Sequence, residues 1–162
     1  MLVSSVALGG LAGLLLGGNW RNLRDLRIHW WLLALVALAI RLLALAVGLP
    51  FLVHVGAILL VATVALRNRQ IPGAPLVALG SALNALVIVL NGGMPVDAAA
   101  AIAVGAVTLP NDALHQQLGP DTRLPWLADV VPMGVFRAVY SVGDVIIAAG
   151  GFWIPFSTLR RR

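Results

Sequence analysis

Residues 30–49 read WWLLALVALAIRLLALAVGL, a run of twenty residues in which Arg41 is the only charged side chain. An α-helix needs about 20 predominantly apolar residues to cross the hydrocarbon core of a bilayer. Other stretches of the chain are apolar over similar or somewhat shorter lengths, namely residues 2–18, 51–66, 75–90 and 140–156. The pattern predicts a single all-α membrane domain, a bundle of five transmembrane helices.

The composition of the whole chain supports this prediction. Of the 162 residues, 60% are hydrophobic and only 10% are charged, whereas soluble domains carry about 25% charged residues. A chain of this length cannot bury so much apolar surface within itself, so the excess is expected to face lipid. This argues against a soluble enzyme, a nucleic-acid-binding protein and a disordered chain. Since the chain contains no Cys, disulfides, thiolate metal sites and cysteine nucleophiles are excluded.

The arginines predict the orientation of the bundle. All 11 basic residues are Arg, and with five spans most of them fall on one side: Arg21, Arg24, Arg27, Arg67, Arg69, Arg160, Arg161 and Arg162. Cytoplasmic segments carry the excess of positive charge, so we expect the N-terminus outside and the C-terminus in the cytoplasm. The net charge of +5 then also reflects attraction to anionic lipid. The expected partners are membrane lipid and, as an open alternative, other membrane proteins, but not nucleic acid.

The first apolar stretch carries a regular glycine pattern. Gly9, Gly13 and Gly17 recur every four residues on one helix face, which lets a neighbouring backbone approach closely. Packing within the chain and a seam between two copies are both compatible with this ridge. Because no Arg or Lys precedes the apolar stretch, we expect a retained helix rather than a signal peptide.

Residues 92–138 form the one long connection and are expected to lie on the outer side. A short helix is predicted over residues 98–104. A second helix is predicted to begin at Asn111 or Asp112 and to reach Gln117. Both would lie on the outer membrane face or dip into it.

Four polar side chains lie in the outer halves of four predicted spans. Counted from the outer helix ends at 1.5 Å per residue, the depths are about 12 Å for Arg41, about 5 Å for His54, about 10 Å for Asn84 and about 6 Å for Asp144. Such groups are costly in a membrane and usually face the bundle interior. They therefore predict a polar pocket just beneath the outer surface. The structural alternatives are an Arg41–Asp144 ion pair, an interfacial position for His54 and an interhelical hydrogen bond for Asn84.

Two further motifs extend this predicted pocket. Asn91, Gly92 and Gly93 end the fourth span, where they form either a helix cap or a backbone wall for a substrate or lipid. Asp129 lies in an apolar run and either pairs with an arginine or faces Asp144. Two carboxylates held close together share a proton, so one can act as a base and the other as an acid. Such a catalytic pair needs no metal and no other cofactor.

The ordered motifs resemble those of a known family. NGGMPV (residues 91–96), His115, LPWLAD (residues 124–129) and YSVGDV (residues 140–145) look like a bacterial family of small multi-pass membrane proteins with no assigned function. The resemblance covers most of the chain. It implies a location in the cell membrane, inner or plasma, but implies no activity.

The C-terminal half also resembles lipoprotein signal peptidase, a membrane aspartic peptidase whose site opens on the outer face. That family has one Asp before its final helix, where Asp129 stands here. A second Asp ends an aromatic-Asn-x-Ala-Asp run that begins the final helix. Asp144 matches this second position, with Ser141 and Gly143 in place of the Asn and the Ala.

A third segment of this resemblance lies in the fourth span. Residues 80–84, GSALN, are similar to a Gly-rich run that ends in Asn, although Val87 and Ile88 stand where the family pattern has Asp-Arg. The resemblance implies a metal-independent hydrolase that acts on a lipid-linked or membrane-embedded substrate. The alternatives are a non-catalytic structural or assembly subunit of a larger membrane complex and a protein that binds lipid or a small molecule.

Overall fold

A computed structural model describes residues 1–105 and 112–161, of which 66% are helical. The α-helices in these ranges are α1 (Leu2–Leu15), α2 (Trp31–Val47), α3 (Phe51–Arg67), α4 (Ala74–Asn91), α5 (Ala98–Ala103) and α6 (Val142–Leu159). The strands are β1 (Met94–Val96), β2 (His115–Gln117), β3 (Asp129–Met133) and β4 (Ala138–Ser141). All five predicted apolar stretches thus form helices. The helices α1 and α2 are shorter than predicted, whereas α3, α4 and α6 are one or two residues longer.

Glycine and proline set the ends of the long helices. Gly48 ends α2 and Gly92 ends α4, both with left-handed backbone at φ +66° and +75°, a conformation that favours glycine. Pro50 then precedes α3, and Pro75 lies in the first turn of α4. Proline suits that turn because its missing N–H would have no intrahelical partner there.

The five long helices pack in the order α1–α6–α4–α3–α2. The two helices at the ends of this order have few buried residues. These are Gly9 and Gly13 in α1, and Ala37 and Ala44 in α2. Their remaining apolar side chains are largely exposed. The main core lies instead between α3, α4 and the strands, and it contains Val55, Ile58, Ala85, Val87, Ile88, Met94 and Leu114.

The glycine ridge of α1 packs within the chain. A Cβ at Gly9 would clash with the backbone of Phe152 in α6, and one at Gly13 would lie 2.9 Å from a methyl carbon of Leu159. Intramolecular packing is therefore confirmed for these two glycines. Gly17 differs, because it has φ +86° and open space around it, beyond the end of α1.

The crossing of α4 and α6 is equally close. A Cβ at Gly80 would clash with the carbonyl of Gly143, and one at Gly150 would lie 2.6 Å from the carbonyl oxygen of Gly73. The two helices run antiparallel. The Gly80–Gly143 and Gly73–Gly150 contacts are seven residues, or two helical turns, apart along each helix. The missing side chains let α4 and α6 approach within backbone contact, which positions Asn84 of α4 beside Asp144 at the start of α6.

Two of the helices are long and apolar enough to cross a membrane. They are α4 and α6, each of 18 residues. The other long apolar helices contain 14 residues in α1 and 17 in each of α2 and α3. The mostly helical fold therefore includes two candidate membrane spans.

The long connection contains a small sheet, so the all-α prediction is wrong for this segment. Its strand order is β2-β1-β3-β4, with β1 parallel to both β2 and β3, and β3 antiparallel to β4. The last predicted span begins later than expected, at Val142, because Ala138–Ser141 pairs with β3 as strand β4.

The first short helix predicted in the connection is confirmed as α5. The second is wrong, because residues 115–117 form strand β2. Backbone pairing with β1, including a hydrogen bond from the N–H of Met94 to the carbonyl of Leu114 at 2.6 Å, replaces helical hydrogen bonds there. Asp112 accepts hydrogen bonds from the N–H groups of Leu114 and His115 in a turn before the strand. The alternative cap, Asn111, lies outside the described residues.

Candidate functional site

Asp144 lies in the first turn of α6 and is fixed by two other side chains. Its N–H donates to the hydroxyl oxygen of Ser141 at 2.9 Å, and its carboxylate accepts the N–H of Ser141 at 3.4 Å, which together form a capping box. Asn84 of α4 donates from Nδ2 to Oδ1 of Asp144 at 2.9 Å. The Ser141 hydroxyl donates in turn to Oδ1 of Asn84 at 2.8 Å. The three side chains thus form a closed network between α4 and α6.

Asp129 approaches the same region from the sheet. It pairs with Ser141 of β4 and with Val96 of β1, so it lies in the interior of the sheet. Its side chain is only 7% exposed, and Oδ1 has no hydrogen-bond partner within the described ranges. Burial raises the pKa of Asp129 to about 7, with the charge of Asp144 adding to the shift and Arg41 opposing it. This carboxyl group can therefore hold a proton close to neutral pH.

Arg41 is half-buried on α2, and its charge acts on Asp129. Among the described residues Arg41 forms no salt bridge with Asp144, so the structure does not support the alternative of an Arg41–Asp144 ion pair. In the part of the chain that the structure describes, the observed salt bridge joins Asp112 and His115 at 2.9 Å. Burial acts to raise the pKa of Asp112, but the hydrogen bonds from the His115 side chain and from the N–H groups of His115 and Leu114 together lower it below its ordinary value.

His54 is fully buried in the first turn of α3, so its side chain faces the interior of the bundle. Neither ring nitrogen has a hydrogen-bond partner among the residues described. Arg41, Asp112 and His115 lie within electrostatic range of the ring. Buried polar atoms are nearly always hydrogen-bonded in native proteins, so an orphaned histidine ring is an unusual feature.

The Asn91-Gly92-Gly93 turn connects the end of α4 to strand β1. The Asn91 side chain donates to the carbonyl of Arg123 at 3.0 Å and accepts the N–H of Arg123 at 2.8 Å. Gly92 caps α4 in the left-handed conformation. A Cβ at Gly93 would lie 2.9 Å from the carbonyl oxygen of Leu114. The turn therefore has the predicted capping role and makes a close backbone approach to the sheet.

A cavity of about 400 Å³ lies next to this turn. Its polar lining residues include Asn91, Gln116, Gln117, Asp121, Thr122 and Arg123. Neither Asp129 nor Asp144 lines it. Of the residues that the sequence assigned to one pocket, Asn91 lines this cavity, whereas Asn84, Asp129 and Asp144 belong to a separate acidic site.

Sequence reasoning had not assigned a site role to Ser141 or, apart from Asn91, to the cavity-lining residues. The signal for Ser141 was available, because Ser-x-x-Asp before an apolar run is a capping-box pattern. Gln116 and Arg123 carry no such local signal, since β-pairing and the amide of Asn91 bring them to the cavity.

A family model described as "Family of unknown function (DUF5317)" matches residues 25–156. No curated protein and no solved structure matches the chain.

Proposed function

Because the chain belongs to the DUF5317 family, which has no known function, we propose from its geometry that it is a membrane hydrolase of the aspartic type. Asp129 and Asp144 form the catalytic pair, and the substrate is lipid-linked or membrane-embedded. The observation that carries this proposal is the buried Asp129 carboxyl, which has an unpartnered oxygen among the described residues. It lies in the strand paired with Ser141, the residue that caps Asp144.

The proposal places all five long helices across the cell membrane, with the N-terminus outside and the C-terminus in the cytoplasm. The exposed apolar side chains of α1 and α2 support it, since water would not tolerate such faces. The shorter helices α1 to α3 can be accommodated by local thinning of the bilayer. In this arrangement the sheet and the acidic site lie at the outer surface.

In the proposed mechanism, one of two nearby carboxyl groups acts as a general base and the other as a general acid. Asp144 takes a proton from water as the water oxygen bonds to the substrate carbonyl carbon, and protonated Asp129 donates its proton to the carbonyl oxygen. When the tetrahedral intermediate collapses, the bond to the leaving group breaks. Asp144 then protonates the leaving group, and a hydroxyl of the intermediate returns a proton to Asp129.

The surrounding residues have positioning and electrostatic roles in this scheme. Asn84 and Ser141 hold the Asp144 carboxylate at the start of α6. Arg41 supplies positive charge near Asp129, which moderates the repulsion between two acids and attracts an electron-rich substrate group.

The test compares membranes from cells that express the wild type, Asp129→Asn, Asp144→Asn or the control Asp25→Asn, which changes an exposed acid outside the site. Mass spectrometry of membrane peptides and lipids is the readout. We expect the wild type and the control to yield products that are absent from the two site variants and from an empty-vector strain.

Wild-type profiles from both site variants, with each protein intact after extraction, would contradict hydrolysis. The non-catalytic subunit and the binding protein would then be the remaining functions. Asp129→Asn and Asp144→Asn are both needed, because loss of products in only one of them would contradict a shared catalytic pair.

A further inference from the structure

We propose that the cavity beside Asn91 binds the headgroup of a phospholipid that carries both a phosphate and a primary ammonium group, as in phosphatidylethanolamine. This inference rests on the membrane arrangement proposed above, because it requires the cavity to open at the outer bilayer surface. It does not depend on hydrolysis by Asp129 and Asp144.

The walls of the cavity are held in place by the protein itself. The Asn91 side chain bonds both the carbonyl and the N–H of Arg123, at 3.0 and 2.8 Å. Gln116 donates from Nε2 to the carbonyl of Asn91 at 2.8 Å. The N–H of Gly119 donates to the Thr122 hydroxyl at 2.9 Å. A site arranged in advance avoids much of the ordering cost of binding.

The charges in the cavity match a zwitterion. Asp121 and Arg123 both line it, both are exposed, and in residues 1–105 and 112–161 neither takes part in a salt bridge. A guanidinium group binds phosphate through two parallel hydrogen bonds, and a carboxylate accepts the N–H groups of an ammonium. One free acid and one free base therefore favour a ligand with both charges over a simple anion.

An apolar track leads to the cavity along α4. Leu90 lines the cavity, and Leu86 lies one turn earlier on the same helix face. Leu86 and Leu79 are both exposed, and they follow the same face towards the middle of the helix. An acyl chain lying against this track would place its headgroup beside Arg123.

The test measures lipid retention by the purified full-length protein in detergent, using native mass spectrometry. The probes are phosphatidylethanolamine, phosphatidylglycerol, phosphatidylcholine and soluble phosphoethanolamine. We expect the wild type to retain phosphatidylethanolamine about tenfold better than the other two lipids, the effect of one charge-assisted contact.

Variants identify the two charges separately. Arg123→Gln is expected to lower phosphatidylethanolamine retention about tenfold. Asp121→Asn is expected to shift the preference towards phosphatidylglycerol. The control Arg137→Gln changes an exposed outer arginine that does not line the cavity, and it should behave as the wild type.

Equal retention of the three lipids by the wild type would overturn the proposal, as would unchanged retention by Arg123→Gln and Asp121→Asn. Competition by soluble phosphoethanolamine at concentrations similar to the lipid would indicate a small-molecule site and would overturn the lipid assignment. Alkaline carbonate treatment of the membranes separates the two proposals. A protein that stays in the membrane but shows no headgroup preference refutes only the lipid site, whereas release by carbonate refutes the membrane arrangement itself.

Discussion

At the scale of single residues, Asn84 links the two helices that form the acidic site. Its predicted depth of about 10 Å lies within one helical turn of the depth of about 6 Å predicted for Asp144, and the two side chains do form a hydrogen bond. The sequence could predict this because polar groups in apolar helices seek one another. The sequence could not predict whether Arg41 pairs with Asp144, because hydropathy does not show that α2 packs on α3 whereas α6 packs on α4.

Replacing Asn84 tests the value of this network. Asn84→Ala leaves the buried Ser141 hydroxyl without its acceptor and Oδ1 of Asp144 without its donor. We expect a loss of about 1–3 kcal/mol in the free energy of unfolding, measured by titrating the purified protein with denaturing detergent.

Thr63→Ala is the control for this measurement, because it removes an exposed hydroxyl that bonds only within its own helix. Its effect should be smaller than that of Asn84→Ala. Equal effects of the two variants would show that the network contributes nothing beyond a surface hydrogen bond.

The Asp129 carboxyl predicts a pH dependence of stability. Its pKa is raised from 3.8 to about 7 in the folded protein. The folded state therefore binds more protons than the unfolded state between these values, and stability falls as pH rises through this window. The loss reaches up to about 4 kcal/mol by pH 8, from 1.36 kcal/mol per pKa unit.

Thermal unfolding in detergent at pH 5 and pH 8 measures this dependence. The melting temperature of the wild type should fall more between the two conditions than that of Asp129→Asn, which cannot ionise at this position. Parallel shifts in the two proteins would contradict the raised pKa.

At the scale of elements, the helices were more predictable than the strands. The glycine ridge at Gly9 and Gly13 indicated a close helix contact, although its partner, α6, could not be predicted. The four strands contain three to five residues each, too few for a clear alternation of apolar and polar positions. Their pairing also joins segments far apart in sequence, such as β1 and β3, and local patterns do not report it.

Two adjacent glycines in α1 provide a matched test of the α1–α6 contact. Gly9→Ala would force a Cβ into the backbone of Phe152, whereas Gly10→Ala would meet nothing within 4 Å. We expect Gly9→Ala to lose about 1–3 kcal/mol of stability through overpacking. Gly10→Ala should be neutral or gain up to about 1 kcal/mol from its better helix propensity.

Thermal unfolding of both variants in the same detergent decides between these outcomes. Similar melting temperatures for the two alanine variants would contradict the close packing of α1 on α6. A dimer seam at the ridge predicts instead that Gly9→Ala changes the oligomeric state, which size-exclusion chromatography would reveal.

At the scale of the whole molecule, the five apolar stretches and the distribution of arginine predict the membrane topology. They do not predict the packing order α1–α6–α4–α3–α2, because hydropathy is a property of each segment alone. They also did not separate the acidic site from the cavity at Asn91. That separation depends on the sheet, which joins Asp129 to the start of α6 and positions Gln116 beside the end of α4.

The central claim is that Asp129 and Asp144 lie at the extracytoplasmic surface, and single cysteines test it most directly because the chain has none of its own. Val135→Cys introduces a thiol at a 93% exposed position between β3 and β4, and Gln70→Cys introduces one between α3 and α4 without removing an arginine. A membrane-impermeant maleimide should label position 135 in intact cells and position 70 only after lysis. Labelling of position 70 but not position 135 in intact cells, or of both together, would contradict the claim.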